Sequence, residues 1–187
     1  TPTPTAAPAM CSLVAAGPPT GSGATAMTLT GGTNNDTITG GSGNDSLSNA
    51  LVSFPGNDEF HTGAGNDFIN PGPGNDVIDG GDGVDTVLLS GARRTSTISR
   101  HGAELLVKTS KDGEDRLSNV ERLMFDDGGL AFDISGNAGI TAKILGALFG
   151  RSYIRDGNFV RIGLELLDSG ITYEDLVSLA LGTDLFA

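Results

Sequence analysis

The chain has 187 residues, of which 37% are hydrophobic, 5% are aromatic and none is tryptophan. It is therefore long enough for one or two small domains but poor in the residues that fill a large conventional core. Its net charge of -12 and isoelectric point of about 4.3 exclude the basic patch that nucleic acid phosphates require. No apolar run approaches the length of a transmembrane span, and the single cysteine, Cys11, excludes an internal disulfide.

Residues 1–30 are rich in Pro, Thr, Ala, Gly and Ser, which predicts an extended arm or linker rather than a packed domain. The opening TPTPTAAPAM lacks the basic segment and the apolar run of a signal peptide. A chain that opens with threonine is consistent with processing, or with excision from a longer protein.

Residues 31–88 consist of nine-residue repeats. Aligned in register, the six copies read GGTNNDTIT, GGSGNDSLS, SFPGNDEFH, TGAGNDFIN, PGPGNDVID and GGDGVDTVL. The sixth position is always aspartate: Asp36, Asp45, Asp58, Asp67, Asp76 and Asp85. The eighth is always apolar: Ile38, Leu47, Phe60, Ile69, Ile78 and Val87. Residues 49–52 interrupt the series after the second copy.

The repeat period predicts how these aspartates are arranged. Each unit combines a glycine-rich polar half with a short strand whose eighth residue faces inward. Two units form one coil of a solenoid, so alternate units stack about 4.8 Å apart. Two carboxylates at that spacing repel by about 3 kcal/mol at an effective dielectric of about 20, so the stack needs a cation between its rungs. Oxygen ligands on a flexible turn favour Ca²⁺ over a transition metal.

Residues 89–133 have a different pattern. Alternating apolar and polar residues over 95–99 and 104–108 predict two strands around a turn at His101 and Gly102. Residues 117–133 then supply a dense apolar set.

Residues 134–187 are predicted to be helical. Apolar residues recur on one helical face from Ile140 to Leu148, and again from Phe159 to Leu167, before a stop at residues 169–170. Thr172 and Asp175 have the spacing of a capping box, which predicts the start of a third helix.

The copy GGSGNDSLS matches the pattern G-G-x-G-x-D-x-U-x, with U apolar, at every defined position. Through this pattern the chain resembles the repeats-in-toxin (RTX, hemolysin-type) calcium-binding proteins, whose repeats form a parallel β-roll. The segment LSNVERLMFDDG resembles the cap that commonly follows such rolls, and the last fifty or so residues resemble a short helical domain often found beside them. The resemblance implies a mainly β fold: a parallel β-roll solenoid over 31–88 with a β cap over 89–133, followed by a small α-helical domain over 134–187.

The resemblance also implies the calcium ligands. Each sixth-position aspartate is expected to bind calcium, in the pairs Asp45 with Asp67, Asp58 with Asp76, and Asp67 with Asp85. Asp36 with Asp58 is a further candidate pair, although residues 49–52 must loop out to form it. Asp82, at a third position, is either an extra ligand or a surface charge. Backbone carbonyls are expected to complete the sites near Gly32, Gly41, Gly43, Gly56, Gly63, Gly65, Gly72, Gly74, Gly81 and Gly83.

Calcium is scarce in a bacterial cytosol and plentiful outside, so metal binding would supply folding free energy after export. Two functions are compatible with this hypothesis. The chain is either an extracellular structural protein, such as a surface-layer, filament or adhesive subunit that assembles with its own copies, or the C-terminal secretion and folding module of a larger type I-secreted enzyme or toxin. Residues 184–187, an acidic residue followed by apolar ones, resemble the terminus of type I secretion substrates.

The sequence contains neither H-E-x-x-H nor G-x-S-x-G, and its two histidines, His61 and His101, are far apart. We therefore expect no enzymatic activity and favour the structural role. Phe68 and Val77, which are apolar at an outward position of the repeat, are candidate contacts between copies.

Overall fold

The computed structural model describes residues 12–14, 26–31, 35–49, 56–154 and 157–182. Several sequence expectations lie outside the described residues: most of the arm at 1–30, Cys11, the carbonyl of Gly32, most of the insertion at 49–52, and the terminus at 184–187. The chain divides into two compact units, Thr1–Leu130 and Ala131–Ala187.

Short strands dominate the first unit and form two sheets. The strands are β1 (Ser12–Val14), β2 (Thr28–Thr30), β3 (Thr37–Thr39), β4 (Ser46–Ser48), β5 (Glu59–His61), β6 (Phe68–Asn70), β7 (Val77–Asp79), β8 (Thr86–Leu88), β9 (Thr97–His101), β10 (Glu104–Thr109), β11 (Gly113–Ser118), β12 (Arg122–Phe125) and β13 (Gly128–Ala131). One sheet has the strand order β1-β3-β5-β7-β11-β10-β9, and the other β13-β12-β8-β6-β4-β2. The six repeat strands, β3 to β8, alternate between the two sheets and pair in parallel with the strand two units away.

The eighth residues of the repeats form part of the core of this unit. In one sheet Ile38 is in register with Phe60 and Phe60 with Ile78, while in the other Leu47 is in register with Ile69 and Ile69 with Val87. All six side chains have no exposed surface. The prediction that the eighth position faces inward is therefore confirmed, and each three-residue strand contributes one fully buried apolar side chain.

Two strands occur within residues 1–30, which the sequence analysis assigned to an arm or linker. β1 pairs in parallel with β3, and β2 pairs in parallel with β4 and buries Leu29. Met27, just before β2, stands opposite Asp45 and donates its N–H to the Oδ1 of that aspartate at 2.8 Å. The strands were missed because this segment lacks the glycine and aspartate signature, and their pairing partners lie 18 or more residues away.

The segment after the repeats continues both sheets. β9 and β10 form the antiparallel hairpin that the sequence predicted, with Gly102 in the turn at a φ of +67°. His101, which was expected in the turn, instead ends β9 and pairs with Glu104, and β9 begins at Thr97 rather than at 95 because Arg93–Thr95 form a 3-10 helix. β10 pairs with β11 in the same way, and β11 then pairs in parallel with β7. β12 pairs in parallel with β8 in the other sheet. Both sheets therefore extend beyond the last repeat.

The second unit is helical, with α1 (Asn137–Leu148), α2 (Arg151–Ile154), α3 (Gly157–Asp168) and α4 (Tyr173–Leu181). Its small core is formed by Ile144, Leu167 and Leu176. The Oγ1 of Thr172 accepts the N–H of Asp175 at 3.1 Å, which confirms the predicted start of α4. The four-residue α2 was not predicted. Among the described residues, no helix combines the length and the apolar character that crossing a bilayer requires.

Candidate metal centre

Buried aspartates follow one another along each sheet, just before the amino end of each repeat strand. Asp36, Asp58 and Asp76 precede β3, β5 and β7, and Asp45, Asp67 and Asp85 precede β4, β6 and β8. None of the six side chains is more than 3% exposed. These six aspartates therefore form two ladders of buried carboxyl groups, one along each sheet, hereafter the aspartate ladders.

Each step of a ladder is a hydrogen bond from a backbone amide to the next carboxyl group. The N–H groups of Asp36 and Asp58 donate to the Oδ1 atoms of Asp58 and Asp76, both at 2.8 Å. In the other ladder, Asp45 donates to Asp67 at 2.7 Å and Asp67 donates to Asp85 at 2.9 Å. The structure thus brings together all four aspartate pairs that the sequence analysis named. One oxygen of each acceptor carboxyl is fixed by the neighbouring coil.

The second carboxyl oxygens differ between rungs. The Oδ2 atoms of Asp67, Asp76 and Asp85 are buried and accept no hydrogen bond from the described residues. In contrast, the Oδ2 of Asp58 accepts the Nδ2–H of Asn49, and the Oδ2 of Asp45 accepts the N–H of Gly41, both at 2.8 Å. Buried polar atoms are rarely left without a partner, so these three oxygens indicate a ligand.

Burial also changes the acidity of the ladders. Burial, partly offset by the N–H from Asp58, raises the pKa of Asp76 to about 8. Burial, partly offset by the N–H from Asp67, raises the pKa of Asp85 to about 7. The pKa values of Asp58 and Asp67 are raised by burial as well. Ionising these buried carboxyl groups is costly unless a positive charge lies between them. A bound cation would supply that charge.

The glycine turns bring backbone carbonyls against the next coil. A Cβ at Gly63 or Gly81 would overlap the carbonyl oxygen of Gly41 or Gly63, one coil away. The fourth-position glycines show the same contact: Gly65 with Gly43, Gly74 with Gly56, and Gly83 with Gly65. Glycine is required at these points because no other residue leaves room for the carbonyl. Gly72 differs, since a Cβ there would meet the side chain of Asn49 at 3.4 Å.

These carbonyls are needed to complete a calcium site. Across the described residues, no three Asp, Glu, His or Cys side chains converge on one point. Each rung therefore offers two carboxyl groups, and the remaining ligands would be turn carbonyls or water, since Ca²⁺ takes six to eight oxygens. The carbonyls of Gly41 and Gly63 accept the N–H groups of Ala64 and Asp82 at 3.0 and 2.8 Å, which leaves each a second lone pair. The donor set is entirely oxygen and fits calcium.

Asp82 lies apart from the ladders. Its side chain is exposed, and its backbone carbonyl accepts the N–H of Gly65 at 2.8 Å. Its contribution to the structure is therefore the backbone bridge to the neighbouring turn.

The fifth-position asparagines form ladders of their own, hereafter the asparagine ladders, which were not anticipated from the sequence. The fifth position is asparagine in five of the six copies. Each side-chain Oδ1 accepts an N–H from the next coil: Asn35 from Asn57, Asn44 from Asn66, Asn57 from Asn75, and Asn66 from Val84, at 2.8 to 3.0 Å. These asparagines are exposed and uncharged, so they hold the turns in register without adding repulsion.

Two acidic residues beyond the repeats also join the ladders. The Oδ1 of Asp115 accepts the N–H of Asp76, and the Oε2 of Glu121 accepts the N–H of Asp85, both at 3.0 Å. The sequence around both residues already contains part of the repeat pattern. Residues 113–117 (GEDRL) copy positions four to eight of the repeat, and residues 119–123 (NVERL) do so with asparagine and glutamate. In the second copy, Asn119 takes the left-handed conformation, with φ of +51°.

The match to a family of calcium-binding repeats agrees with this interpretation of the ladders. The family model of the RTX calcium-binding nonapeptide repeat, in four copies, matches residues 28–49 and 53–87. Among solved structures, the extracellular lipase LipA from Serratia marcescens is 27% identical over 57% of this chain and 15% of its own, with a TM-score of 0.26. The match thus spans a small part of that lipase. No curated protein matches the chain. Residues 28–49 and 53–87 are therefore calcium-binding repeats of the RTX family.

Proposed function

We propose that the chain is an extracellular calcium-binding structural protein, a surface-layer, filament or adhesive subunit, whose repeats fold as a parallel β-roll when they bind calcium after secretion. The observation that carries this proposal is the pair of aspartate ladders. In them Asp67, Asp76 and Asp85 each have one oxygen that accepts an N–H from the preceding coil and one that is buried without a donor among the described residues.

Calcium-dependent folding follows from the cost of burying these carboxyl groups. Each is at most 3% exposed, and the chain as a whole has a net charge of -12. Without a cation, the ladder residues must either take up protons or repel one another in a medium of low dielectric constant. Calcium bound only to the folded chain adds its binding free energy to folding, so the roll is stable where calcium is plentiful.

A calcium titration of the chelated protein, followed by far-ultraviolet circular dichroism, tests the proposal. We expect the β signal to appear with calcium and to disappear when chelator is added in excess. Magnesium at the same concentration is the matched control, because Mg²⁺ demands a tighter octahedral site and retains its water. A β signal that is unchanged by chelation would contradict the proposal.

We further propose that the chain has no catalytic activity of its own. His61 is half exposed and contacts Glu59 at 3.0 Å, and exposed His101 lies 3.4 Å from the hydroxyl of Ser99. Both imidazoles thus have local partners on the surface. The alternative, a secretion and folding module of a larger enzyme, is distinguished by the mass of the native polypeptide. A much larger precursor with an upstream catalytic domain would favour the module.

Self-association is part of the structural proposal. Phe68 and Val77 occupy outward positions of β6 and β7 and are 39% and 45% exposed. Sedimentation with and without calcium tests it: we expect larger species with calcium, and a monomer at high concentration under both conditions would refute assembly.

A further inference from the structure

Strand β11 carries an unrecognised copy of the repeat. Residues 110–118 read SKDGEDRLS and match the repeat at its fourth, sixth and eighth positions, through Gly113, Asp115 and Leu117. They lie outside the segments that the RTX family model matches. In its sheet, β11 lies between β7, with which it pairs in parallel, and β10, with which it pairs in an antiparallel arrangement.

The copy has the same relation to β7 that each repeat has to its neighbour. Leu117 is in register with Ile78. The N–H of Glu114 donates to the Oδ1 of Asn75 at 2.9 Å, which continues the asparagine ladder. Gly113 has a φ of +96°, and a Cβ there would overlap the carbonyl oxygen of Gly74, as at the repeat glycines. The turn before β11 therefore reproduces a repeat turn.

The carboxyl groups of Asp76 and Asp115 present two unused oxygens at this step. The residues are 1% and 0% exposed, and the Oδ1 of Asp115 accepts the N–H of Asp76 at 3.0 Å. The Oδ2 atoms of both residues are buried and have no hydrogen-bond donor among the described residues. At the preceding step, by contrast, Asn49 donates to the Oδ2 of Asp58. Both carboxyl groups of the Asp76–Asp115 step therefore have an oxygen without a donor, whereas at the step between Asp58 and Asp76 only Asp76 has one.

We propose that Asp76 and Asp115 form a further calcium site, outside the recognised repeats, that fastens the β10–β11 hairpin to the last repeat of its sheet. The site binds the cation between two chain segments 39 residues apart. The hairpin is thus part of the calcium-dependent structure rather than a passive cover. This inference rests on the proposed calcium-dependent folding of the repeats, and it adds a ligand and a role for the hairpin.

The test compares Asp115→Asn with Glu114→Gln in the full chain. Asparagine keeps the shape of the side chain and an oxygen that can accept the N–H of Asp76, but it removes the charge. Glu114 is the matched control: it lies on the same strand, is exposed, and pairs with Lys108 at 3.6 Å. Calcium stoichiometry is measured by isothermal titration calorimetry, and hydrogen exchange of the β10 and β11 amides is followed across a calcium titration.

We expect Asp115→Asn to bind one calcium ion fewer than the wild type and Glu114→Gln to bind the same number. In Asp115→Asn, the calcium concentration that protects the hairpin amides should rise at least about 10-fold, the smallest loss typical of disturbing a metal site. Equal stoichiometry in Asp115→Asn and wild type would overturn the proposal.

Two further outcomes are informative. If Asp115→Asn does not fold in calcium, the wild-type exchange data decide: hairpin amides protected equally with and without calcium, while β7 amides require it, would overturn the proposal. If the wild type itself shows no calcium-dependent protection anywhere, the proposed function fails together with this inference.

Discussion

At the scale of single residues, the repeats depend on how each buried aspartate uses its two oxygens. One oxygen accepts an N–H from the preceding coil, and in Asp67 the other has no donor among the described residues. The first oxygen sets the register of the coils, and the second is available to a cation. The same residue therefore couples strand pairing to metal binding.

Asp67→Asn separates these two roles. The amide retains an oxygen for the N–H of Asp45 but loses the charge. We expect the calcium midpoint of the circular dichroism transition to rise by about 10-fold, which corresponds to about 1.4 kcal/mol. Asp82→Asn, the same change at an exposed turn residue, should leave the midpoint almost unchanged. Equal shifts in the two variants would contradict the assignment of Asp67 to the metal centre.

The glycine turns give a second prediction at this scale. Gly63 and Gly91 both have a φ of +103°, but a Cβ at Gly63 would overlap the Gly41 carbonyl, whereas one at Gly91 would face open space. Alanine meets the same unfavourable φ at both positions, so overpacking should make Gly63→Ala more destabilising than Gly91→Ala by about 1–3 kcal/mol. Urea unfolding at saturating calcium measures the difference. Equal losses would show that the carbonyl contact is unimportant.

At the scale of the strands and turns, the ladders make stability depend on pH when calcium is removed. Burial raises the pKa of Asp76 to about 8, and raises the pKa values of Asp85 and Asp115 to about 7. In the unfolded chain these carboxyls titrate near their usual pKa of about 4. Between about pH 4 and pH 8 the folded form therefore binds more protons than the unfolded form, and its stability falls as pH rises.

We therefore expect the chelated protein to unfold at a higher temperature at pH 5 than at pH 8, and saturating calcium to remove this dependence. Calcium competes with protons for the same carboxyl oxygens, so its affinity should increase across the same pH range. Thermal melts at the two pH values, with chelator and with calcium, provide the measurement. Equal melting temperatures in chelator would argue against protonated ladders.

At the scale of the whole molecule, the two compact units have different sources of stability. The first buries one apolar residue in each repeat strand beside rows of carboxyl groups, whereas the second packs Ile144, Leu167 and Leu176 in an ordinary helical core. The helices contain no copy of the repeat, and among their described residues no Asp or Glu side chain is buried, so the helical unit should not require calcium. Its folding and that of the repeats should be separable.

Leu176→Ala tests this separation. Leu176 is 7% exposed, and removing such a side chain should cost the helical unit about 2–5 kcal/mol. We expect the thermal stability of the 222-nm helical signal to fall, while the calcium midpoint of the β transition stays the same. Ser178→Ala, an exposed change on the same helix, is the control. A shift of both transitions would show that the units fold together.

The sequence by itself determined the features that depend on residues close together in the chain. The invariant sixth and eighth positions identified the six ladder aspartates and the six buried apolar residues of the repeats, and the period of nine predicted which units pair. The spacing of Thr172 and Asp175 likewise predicted the start of α4. Such features can be predicted from sequence because the residue pattern that specifies them spans only a few positions and, in the repeats, recurs many times.

Only the tertiary structure decided where the ladders end. Met27 aligns with Asp45 at one end, and Asp115 and Glu121 extend the ladders at the other. Each of these residues pairs with a partner 18 to 39 positions away, and none lies in a complete copy of the repeat. Their place is fixed by the open edge of a sheet that must be paired, and a local pattern cannot specify which distant segment satisfies that requirement.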